Sequence, residues 1–315
     1  MKEHEQELLK IKQRTGNNAM LGVSEKQFKS NKDPYNPKMV YVGTGNMRLT
    51  ATVGYSINAN DSKIITILIN KFIEGIESNK DLDQARSFVI PKREIYNMFG
   101  IDTKSGEDVA SRNLNETGDK LLSIQLSSKD RGAKKSSRGI VGMPILDLFD
   151  TLTKRGHVKI KIAPSFAEYI LDGHSMYLPK EIFTLTSKYG FLVAYQIYVY
   201  QRMNIKKQDG EINIENLINH IPELKEGLKS THWERVYKHI DDALIEMVEK
   251  KVIKSFEYEN VKTSDDDFRG QDYYTKHPSY KAYKILKGEN IKYKVLDCVA
   301  EKYVKKKKIK RNKKK

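Results

Sequence analysis

The chain has 315 residues, enough for two domains with separate cores, and its 57 Lys and Arg outnumber 41 Asp and Glu to give a formal charge of +16. This excess favours a polyanionic partner, either nucleic acid or an anionic membrane surface. The single cysteine, Cys298, excludes an intramolecular disulfide and fits a cytoplasmic setting, and no apolar run approaches the roughly 18 residues of a membrane span.

Residues 1–55 are predicted to be a weakly structured leader. Within it, EHEQELLKIKQ favours a short amphipathic helix, and the rest is rich in Asn, Gly, Lys and Pro. A clear helix is predicted in DSKIITILINKFIEGI, where apolar residues recur four positions apart at Ile64, Leu68, Phe72 and Ile76. Asp61 or Ser62 is the expected N-cap of this helix.

The predicted first domain spans residues 56–165. After its first helix, SFVI is a short β-prone run, and Pro91 is expected in the first turn of a second helix. A third helix is predicted from Ser105 to about Lys120, and LLSIQLSS then alternates as a strand does. A basic loop, residues 129–139, precedes two further strand candidates, IVGMPILDLF and HVKIKIAP.

The predicted second domain, residues 166–295, repeats this order. SKYGFLVAYQIYVYQRM is a long helix, Ile212 to Ile214 form a short strand before a small helix, and residues 231–249 are a third helix. VIKSFEYE alternates as a strand, residues 263–272 are a turn, and YYTKHPSYKAYKIL is the candidate return strand. Residues 296–315 form a basic tail.

The order helix, short strand, helix, helix and two-stranded hairpin is that of a winged helix. In this fold the second and third helices form a helix-turn-helix, and the third enters the major groove of DNA. The sequence therefore predicts an α+β fold of two tandem winged-helix domains, with a flexible N-terminal leader and a disordered basic C-terminal tail. Residues 305–315 hold nine positive charges and no negative ones, so this segment cannot bury apolar area.

The third helix of the second domain carries cations near its start. Its apolar stripe consists of Trp233, Val236, Ile240, Leu244 and Met247. The cations lie before or beside this stripe, and they are Lys229, His232, Arg235, Lys238 and His239. Because the helix macrodipole disfavours cations at this end, we interpret them as a DNA-binding face, supported by the free backbone N–H groups of the first turn. An ordinary solvated face is the alternative, since charges are expected off any apolar stripe.

The first domain and the tail supply the remaining predicted DNA contacts. The third helix of the first domain begins with Glu107 and Asp108, and Arg112 is its only cation before Lys120. The basic loop, interpreted as the wing, carries Lys129, Arg131, Lys134, Lys135 and Arg138. Either this loop contacts DNA or the domain serves chiefly for protein contacts, and a solvated loop is a further alternative. The tail residues predicted to bind phosphate are Lys305, Lys306, Lys307, Lys308, Lys310 and Arg311, unless the tail is only a solubilising end.

No motif for catalysis or for a cofactor is found in the sequence. VGTGN is too short for a P-loop and lacks its lysine, and no His-x-His pair exists to hold the metal of a nickase. His232 and His239 lie seven residues apart on one predicted helix, yet no third metal ligand accompanies them. We therefore expect no catalytic residue, no cofactor, no metal and no enzymatic activity.

Two segments of the second domain resemble the plasmid replication initiators of the tandem winged-helix, iteron-binding family. The first is MYLPKEIFTLTSKYGFLVAYQIYVYQ. The second is the helix-turn-helix and following strand, made up of EINIENLINHIPEL and then WERVYKHIDDALIEMVEKKVIKSFEYE. The resemblance covers about residues 60–290 and implies binding to repeated origin sequences, opening of an A/T-rich origin and recruitment of a host initiator and helicase. It also implies a homodimer formed through the first domain, and it places residues near Arg235, Lys238 and His239 in the major groove.

The sequence thus favours a non-enzymatic initiator of plasmid replication whose partner is double-stranded DNA. A transcriptional or partition regulator of the same fold is one alternative, and a DNA-nicking or strand-transfer enzyme with an unrecognised site is another. A protein that binds anionic membranes through its tail is a third. In the favoured interpretation, base contacts from the helix 231–249 decide the site, and phosphate contacts from the loop and tail dominate affinity.

Overall fold

The computed structural model describes residues 7–13, 29–30, 39–42, 47–51, 57–99, 103–128, 143–151, 156–203, 209–229, 233–259 and 290–303. The chain divides into two compact units, an N-terminal unit of Leu9–Met176 and a C-terminal unit of Tyr177–Lys315 together with Met1–Leu8. Both units contain the element order of a winged helix, as the sequence predicts. Within the described residues, no helix combines the length and the apolar character needed to cross a bilayer.

Four strands lie in the segment before residue 55, for which the sequence predicts little structure. They are β1 (Leu8–Gln13), β2 (Lys29–Ser30), β3 (Met39–Val42) and β4 (Met47–Ala51). The amphipathic helix expected around β1 is wrong. Leu9 and Ile11 are buried while Lys10 and Lys12 are half-buried, which is the two-residue period of a strand.

The other elements of the N-terminal unit include a complete winged helix. In chain order they are α1 (Ala59–Glu77), α2 (Leu82–Ala85), β5 (Ser87–Pro91), α3 (Lys92–Phe99), α4 (Thr103–Ser123), β6 (Gln125–Ser128), β7 (Met143–Pro144), β8 (Leu146–Asp150), β9 (His157–Ile162), α5 (Pro164–Leu171) and β10 (His174–Pro179), which extends past the end of the unit. Strand β9 pairs antiparallel with β5 and with β8, so the wing of this unit is the β8–β9 hairpin.

The basic loop is not part of this wing, which corrects the sequence-based interpretation. It connects β6 to β7, which pair with each other through Gln125 opposite Pro144 and Leu126 opposite Met143. These two strands belong to a separate five-stranded sheet of order β2-β3-β4-β6-β7. The loop was assigned to the wing because it follows the third helix, but the wing hairpin comes one hairpin later in the chain. The loop residues themselves lie outside the described residues.

Helix α1 is the central helix of the N-terminal unit. The predicted row is confirmed for Ile64, Leu68 and Phe72, which are all at most 1% exposed, whereas Ile76 at its end is half-buried. The predicted N-cap is wrong, because the cap is Asn58. Its side-chain Oδ1 accepts the Asp61 backbone N–H at 3.0 Å, and the Asp61 carboxylate accepts the Asn58 N–H at 2.9 Å. This reciprocal arrangement is a capping box, so Asp61 occupies its third helical position.

The C-terminal unit is a second winged helix with one additional short helix. After a 3-10 helix (Lys180–Thr184), its elements are α6 (Gly190–Met203), β11 (Asp209–Asn213), α7 (Ile214–Asn219), α8 (Pro222–Lys229), α9 (Trp233–Glu249), β12 (Ser255–Glu259) and β13 (Asn290–Lys294). The strands form an antiparallel sheet of order β11-β13-β12. Helix α6 is the first helix of the fold, and the short helices α7 and α8 together take the place of the second, so α9 is the counterpart of the third, recognition helix.

Two boundaries in the C-terminal unit differ from those predicted. Ile214 was placed in a strand, but Asn213 accepts hydrogen bonds from the N–H groups of Glu215 and Asn216 and thereby caps α7 before Ile214. The return strand is β13 rather than residues 273–286, which lie outside the described residues. Buried Ile291 and Tyr293 alternate along β13, as a strand on a core requires.

The core of the C-terminal unit is centred on α6. Tyr198 is fully buried, and its hydroxyl donates a hydrogen bond of 2.6 Å to the Val252 carbonyl at the end of the α9 segment. The ring of Tyr293 on β13 covers Gly210 on β11, where an added Cβ would lie 2.3 Å from a ring carbon. The Tyr293 hydroxyl reaches the Ile197 carbonyl of α6 at 3.3 Å, so the sheet and the helix are held together.

Candidate nucleic-acid interface

Helix α9 packs on the C-terminal unit through the predicted apolar stripe. Val236, Ile240, Leu244 and Met247 are all at most 4% exposed, and Tyr237 beside them is 2% exposed. Their spacing of three and four residues places them on one face of the helix. The stripe is confirmed for these residues, and it fixes which side of α9 points away from the core.

The outward face of α9 changes sign along its length. Arg235 and Lys238 are exposed in the first turns, whereas Asp242 and Glu249 are exposed further along. An anionic partner stabilises cations at a helix start, where they otherwise oppose the macrodipole. We refer to Arg235 and Lys238 together as the recognition face. Its position at the start of α9 is where recognition helices contact base edges.

A turn formed by residues 186–190 lies against one side of α9. The Glu246 carboxylate accepts the Thr186 backbone N–H at 2.7 Å, the Thr186 hydroxyl at 2.9 Å and the Ser187 N–H at 3.0 Å. Burial raises the pKa of Glu246, but the hydrogen bonds from Ser187 and Thr186 outweigh that effect and hold it below its ordinary value. Glu246 therefore remains ionised and connects α9 to the start of α6.

His239 is part of the packing between this turn and α9. Its ring meets the Tyr189 ring edge-on, with 5.1 Å between centroids. Burial lowers the pKa of His239, and the positive charge of Lys188 and that of Arg235 lower it further. The lowered pKa favours the neutral imidazole, and the predicted contact of His239 with DNA stays a prediction.

Lys188 is a cation beside α9 that the sequence did not indicate. Its Nζ lies 3.1 Å from the Glu223 carboxylate of α8 and 4.9 Å from the Tyr189 ring centroid. A hydrogen bond with the Tyr189 oxygen and another with Glu223 raise the pKa of Lys188. The sequence SKY resembles a helix start of the plasmid replication initiators, but nothing in it indicates that Lys188 contacts residues 35 or more positions further along the chain.

The corresponding helix of the N-terminal unit, α4, is less suited to a polyanion. Arg112 is exposed as predicted, but Glu116 and Asp119 are also exposed on the described part of the helix. Lys120 is largely buried, and its Nζ pairs with the Asp61 carboxylate at 3.1 Å. Among the side chains described on α4, exposed carboxylates therefore outnumber exposed cations.

Most of the other predicted DNA-binding residues lie outside the described residues. These are His232, Lys129, Arg131, Lys134, Lys135, Arg138, Lys305, Lys306, Lys307, Lys308, Lys310 and Arg311. Lys229 is the last residue of α8, but its side chain is likewise not described. The side chains brought together in the described C-terminal unit are thus Arg235, Lys238 and His239, with Lys188 added. The part of the chain that the structure describes contains no group of three His, Cys, Asp or Glu side chains placed to hold a metal.

A comparison with solved structures finds the same fold. The fold of the whole chain resembles that of the Pi initiator protein, whose crystal structure is of a complex with iteron DNA. The TM-score is 0.52 at 13% sequence identity, with 94% of this chain and 100% of that chain covered. Two structures of domains 2 and 3 of RctB match with TM-scores of 0.44 and 0.39 and identities of 11% and 14%. Each covers 74% of this chain, and the shares of the RctB chains are 86% and 83%. No curated protein matches the sequence.

The fold is that of the tandem winged-helix class. Residues 46–199 match the sequence model of the first winged-helix domain, WH1, of the initiator replication proteins. This match covers 154 of the 315 residues and lies mostly in the N-terminal unit.

Proposed function

We propose that this protein initiates plasmid replication by binding, in a sequence-specific manner, to direct repeats at its origin. The observation that supports this most strongly is the recognition face, two exposed cations at the start of a helix whose opposite side is fixed in the core. The structural relative in complex with iteron DNA has the same fold. In a duplex, the repeats would be read by α9 in the major groove.

Arg235 and Lys238 differ in what they contribute to this binding. An arginine guanidinium can donate two parallel hydrogen bonds to O6 and N7 of a guanine, whereas an ammonium group provides a point charge. Arg235 is therefore proposed to read a base, and Lys238 to bind either a base or the adjacent phosphate. Neighbouring Asp242 limits the positive surface to the first turns of α9, so the helix enters the groove by its N-terminal end.

Phosphate contacts are proposed to come from the basic loop and the tail. The loop connects β6 to β7 in the N-terminal unit, and its cations lie close together in sequence. Residues 297–303 of the predicted tail 296–315 are helical, with Val299 and Tyr303 buried, and the part after Tyr303 contains nine positive charges. Contacts of this kind release counterions and dominate affinity without choosing a sequence. Arg112 is proposed to add a single phosphate contact from α4.

We further propose that the protein acts by binding and not by catalysis. Repeated occupancy of neighbouring sites would promote opening of an A/T-rich segment and bring in a host initiator and a helicase, as the family resemblance implies. Dimerisation through the N-terminal unit is part of the same proposal. A regulator of transcription or partition would use the same recognition face but would not make the DNA replicate.

The test is replication itself. A DNA circle carrying this gene, its flanking sequence and a selectable marker, but no other origin, is introduced into a host and selected. We expect stable transformants for the wild-type gene and none for the variant carrying both Arg235→Ala and Lys238→Ala. Purified protein should also bind flanking fragments that contain short direct repeats more tightly than shuffled fragments. Repeat binding without replication of the circle would instead indicate a regulator.

A further inference from the structure

We infer that Lys188 is a further phosphate-binding residue of this interface, and that Glu223 holds it in an ion pair which duplex DNA displaces. The inference rests on the proposed function and adds to it a contact from outside α9. It concerns the 186–190 turn, to which no DNA contact was assigned above.

The backbone of the turn lies beside Glu246 of α9, which Thr186, Ser187 and Gly190 all approach closely. The Tyr189 side chain reaches from the turn to His239, about two helical turns nearer the start of α9. The Lys188 ammonium group lies 4.9 Å from the centroid of this Tyr189 ring, so it too is directed towards the end of α9 that carries the recognition face. Lys188 and Arg235 are both close enough to His239 for their charges to influence its ring. A duplex in contact with Arg235 would thus have its backbone within reach of Lys188.

Lys188 is exposed and already oriented outward. Its side chain is 59% exposed, and its ammonium group lies over the Tyr189 ring. The ring is in turn packed against His239 on α9, so the turn beneath the lysine is fixed by tertiary contacts. An ammonium group has three N–H donors, and the bonds to the Tyr189 oxygen and to Glu223 use two of them. The group can consequently meet a phosphate without a change in the backbone.

Glu223 is a competitor that DNA can readily replace. The pair that it forms with Lys188 is exposed to solvent on both sides, with 34% of the Glu223 side chain accessible. Exposed ion pairs of this kind add little stability and are weakened by salt. In the free protein, however, the carboxylate offsets the charge of Lys188 next to the recognition face. Glu223 should therefore oppose DNA binding through Lys188.

The test is a double-mutant cycle of Lys188→Gln and Glu223→Gln with full-length protein. The protein is titrated into a fluorescein-labelled 30-base-pair duplex of random sequence, and binding is followed by anisotropy at KCl concentrations between about 50 and 300 mM. The same titrations are done with a duplex that carries the repeat. For Lys188→Gln we expect several-fold weaker binding to both duplexes and a salt slope smaller by about 1, the signature of one lost phosphate contact. Glu223→Gln should bind several-fold more tightly than wild type but have no effect in the Lys188→Gln background.

Matched variants make the result specific. Lys225→Gln removes an exposed lysine two residues from Glu223, and its salt slope should remain closer to that of wild type than that of Lys188→Gln. Lys188→Arg keeps the charge and should keep the slope, and circular dichroism checks that every variant is folded. An unchanged slope in Lys188→Gln, or a gain from Glu223→Gln that persists without Lys188, overturns the inference. If wild-type protein fails to prefer repeats at all, the proposed function fails, while the role of Lys188 is still decided on the random duplex.

Discussion

The Glu246 carboxylate accepts the Ser187 backbone N–H at 3.0 Å, and this bond connects α9 to the turn that begins α6. Its other oxygen accepts two hydrogen bonds from Thr186. There is no space at Gly190 for a side chain, since an added Cβ would lie 2.9 Å from the same carboxylate and 2.4 Å from the Ser187 hydroxyl. The orientation of α9 is thus set by a close polar contact as well as by its apolar stripe.

Glu246→Gln should lower the free energy of unfolding by about 1–2 kcal/mol, because an amide nitrogen cannot accept the bonds that one carboxylate oxygen accepts. The loss should depend on pH. Since the folded pKa of Glu246 lies below its ordinary value of 4.5, its contribution is present above that value and disappears as pH falls through the folded pKa. Urea unfolding should therefore separate the two proteins more widely at about pH 7 than at about pH 3.

The exposed Glu249 on the same helix supplies the control for this measurement. Glu249→Gln should change stability by less than about 0.5 kcal/mol at either pH, since surface substitutions have small effects. Equal effects of the two substitutions would show that the contacts of Glu246 with the turn are not what stabilises α9.

The sequence was sufficient to predict α9 because its signal is local. The stripe from Val236 to Met247 follows directly from helical periodicity. The excess of cations near the helix start is visible in the same short segment of sequence. The contacts of Lys188 and Glu246 join residues far apart in the chain, and no periodic pattern contains them. The lowered pKa of His239 has the same origin, because it results from burial against Tyr189.

The wing of the N-terminal unit shows why strand pairing was harder to predict than helices. LLSIQLSS, IVGMPILDLF and HVKIKIAP are all strand candidates, so each suited a wing equally well. The choice was made by pairing between distant segments, β5 with β9 and β4 with β6. For the same reason the short strands before residue 55 gave no clear signal. Strands of two to five residues are stable only when they pair with neighbouring strands in a sheet.

Arg235→Ala with Lys238→Ala should remove the preference for repeats, whereas deletion of residues 305–315 should weaken binding to every duplex. The recognition face is proposed to read bases, and the tail can contribute only sequence-independent charge. Competition titrations that give the ratio of specific to random affinity measure the difference. A bidentate arginine alone should account for roughly 1–3 kcal/mol of discrimination. An equal loss across sequences for both variants would contradict this division of roles.

Asp61→Ala should destabilise the N-terminal unit by about 3–5 kcal/mol, the usual cost of removing one partner of a buried ion pair. Asp61 is 1% exposed, and it accepts bonds from the Thr117 hydroxyl at 2.6 Å and from Lys120 at 3.1 Å. The loss should be visible as a lower midpoint in urea unfolding. Adding Lys120→Met to Asp61→Ala should recover part of the stability, because the double variant leaves no unpaired charge in the interior.

Lys71→Met is the matched control on the same helix. Lys71 forms an exposed pair with Glu74 at 3.5 Å, and such pairs contribute between about 0 and 1 kcal/mol. Its unfolding midpoint should therefore remain close to that of the wild-type protein. A failure of Lys120→Met to recover any stability would indicate that Asp61 acts mainly through the capping box at the start of α1.

His239→Gln should make the stability of the C-terminal unit less dependent on pH near neutrality. Because the pKa of His239 is lowered below its ordinary value of 6.5, the unfolded chain takes up the proton at a higher pH than the folded one. The wild-type protein should therefore lose stability as pH falls from about 7 towards the folded pKa, and the variant should lose less over the same interval. Thermal unfolding at several pH values measures this difference. His174→Gln, at an exposed histidine, is the control for the substitution itself and should change thermal stability little. Parallel curves for wild type and His239→Gln would mean that the imidazole is equally easy to protonate in both states, contrary to its packing against Tyr189.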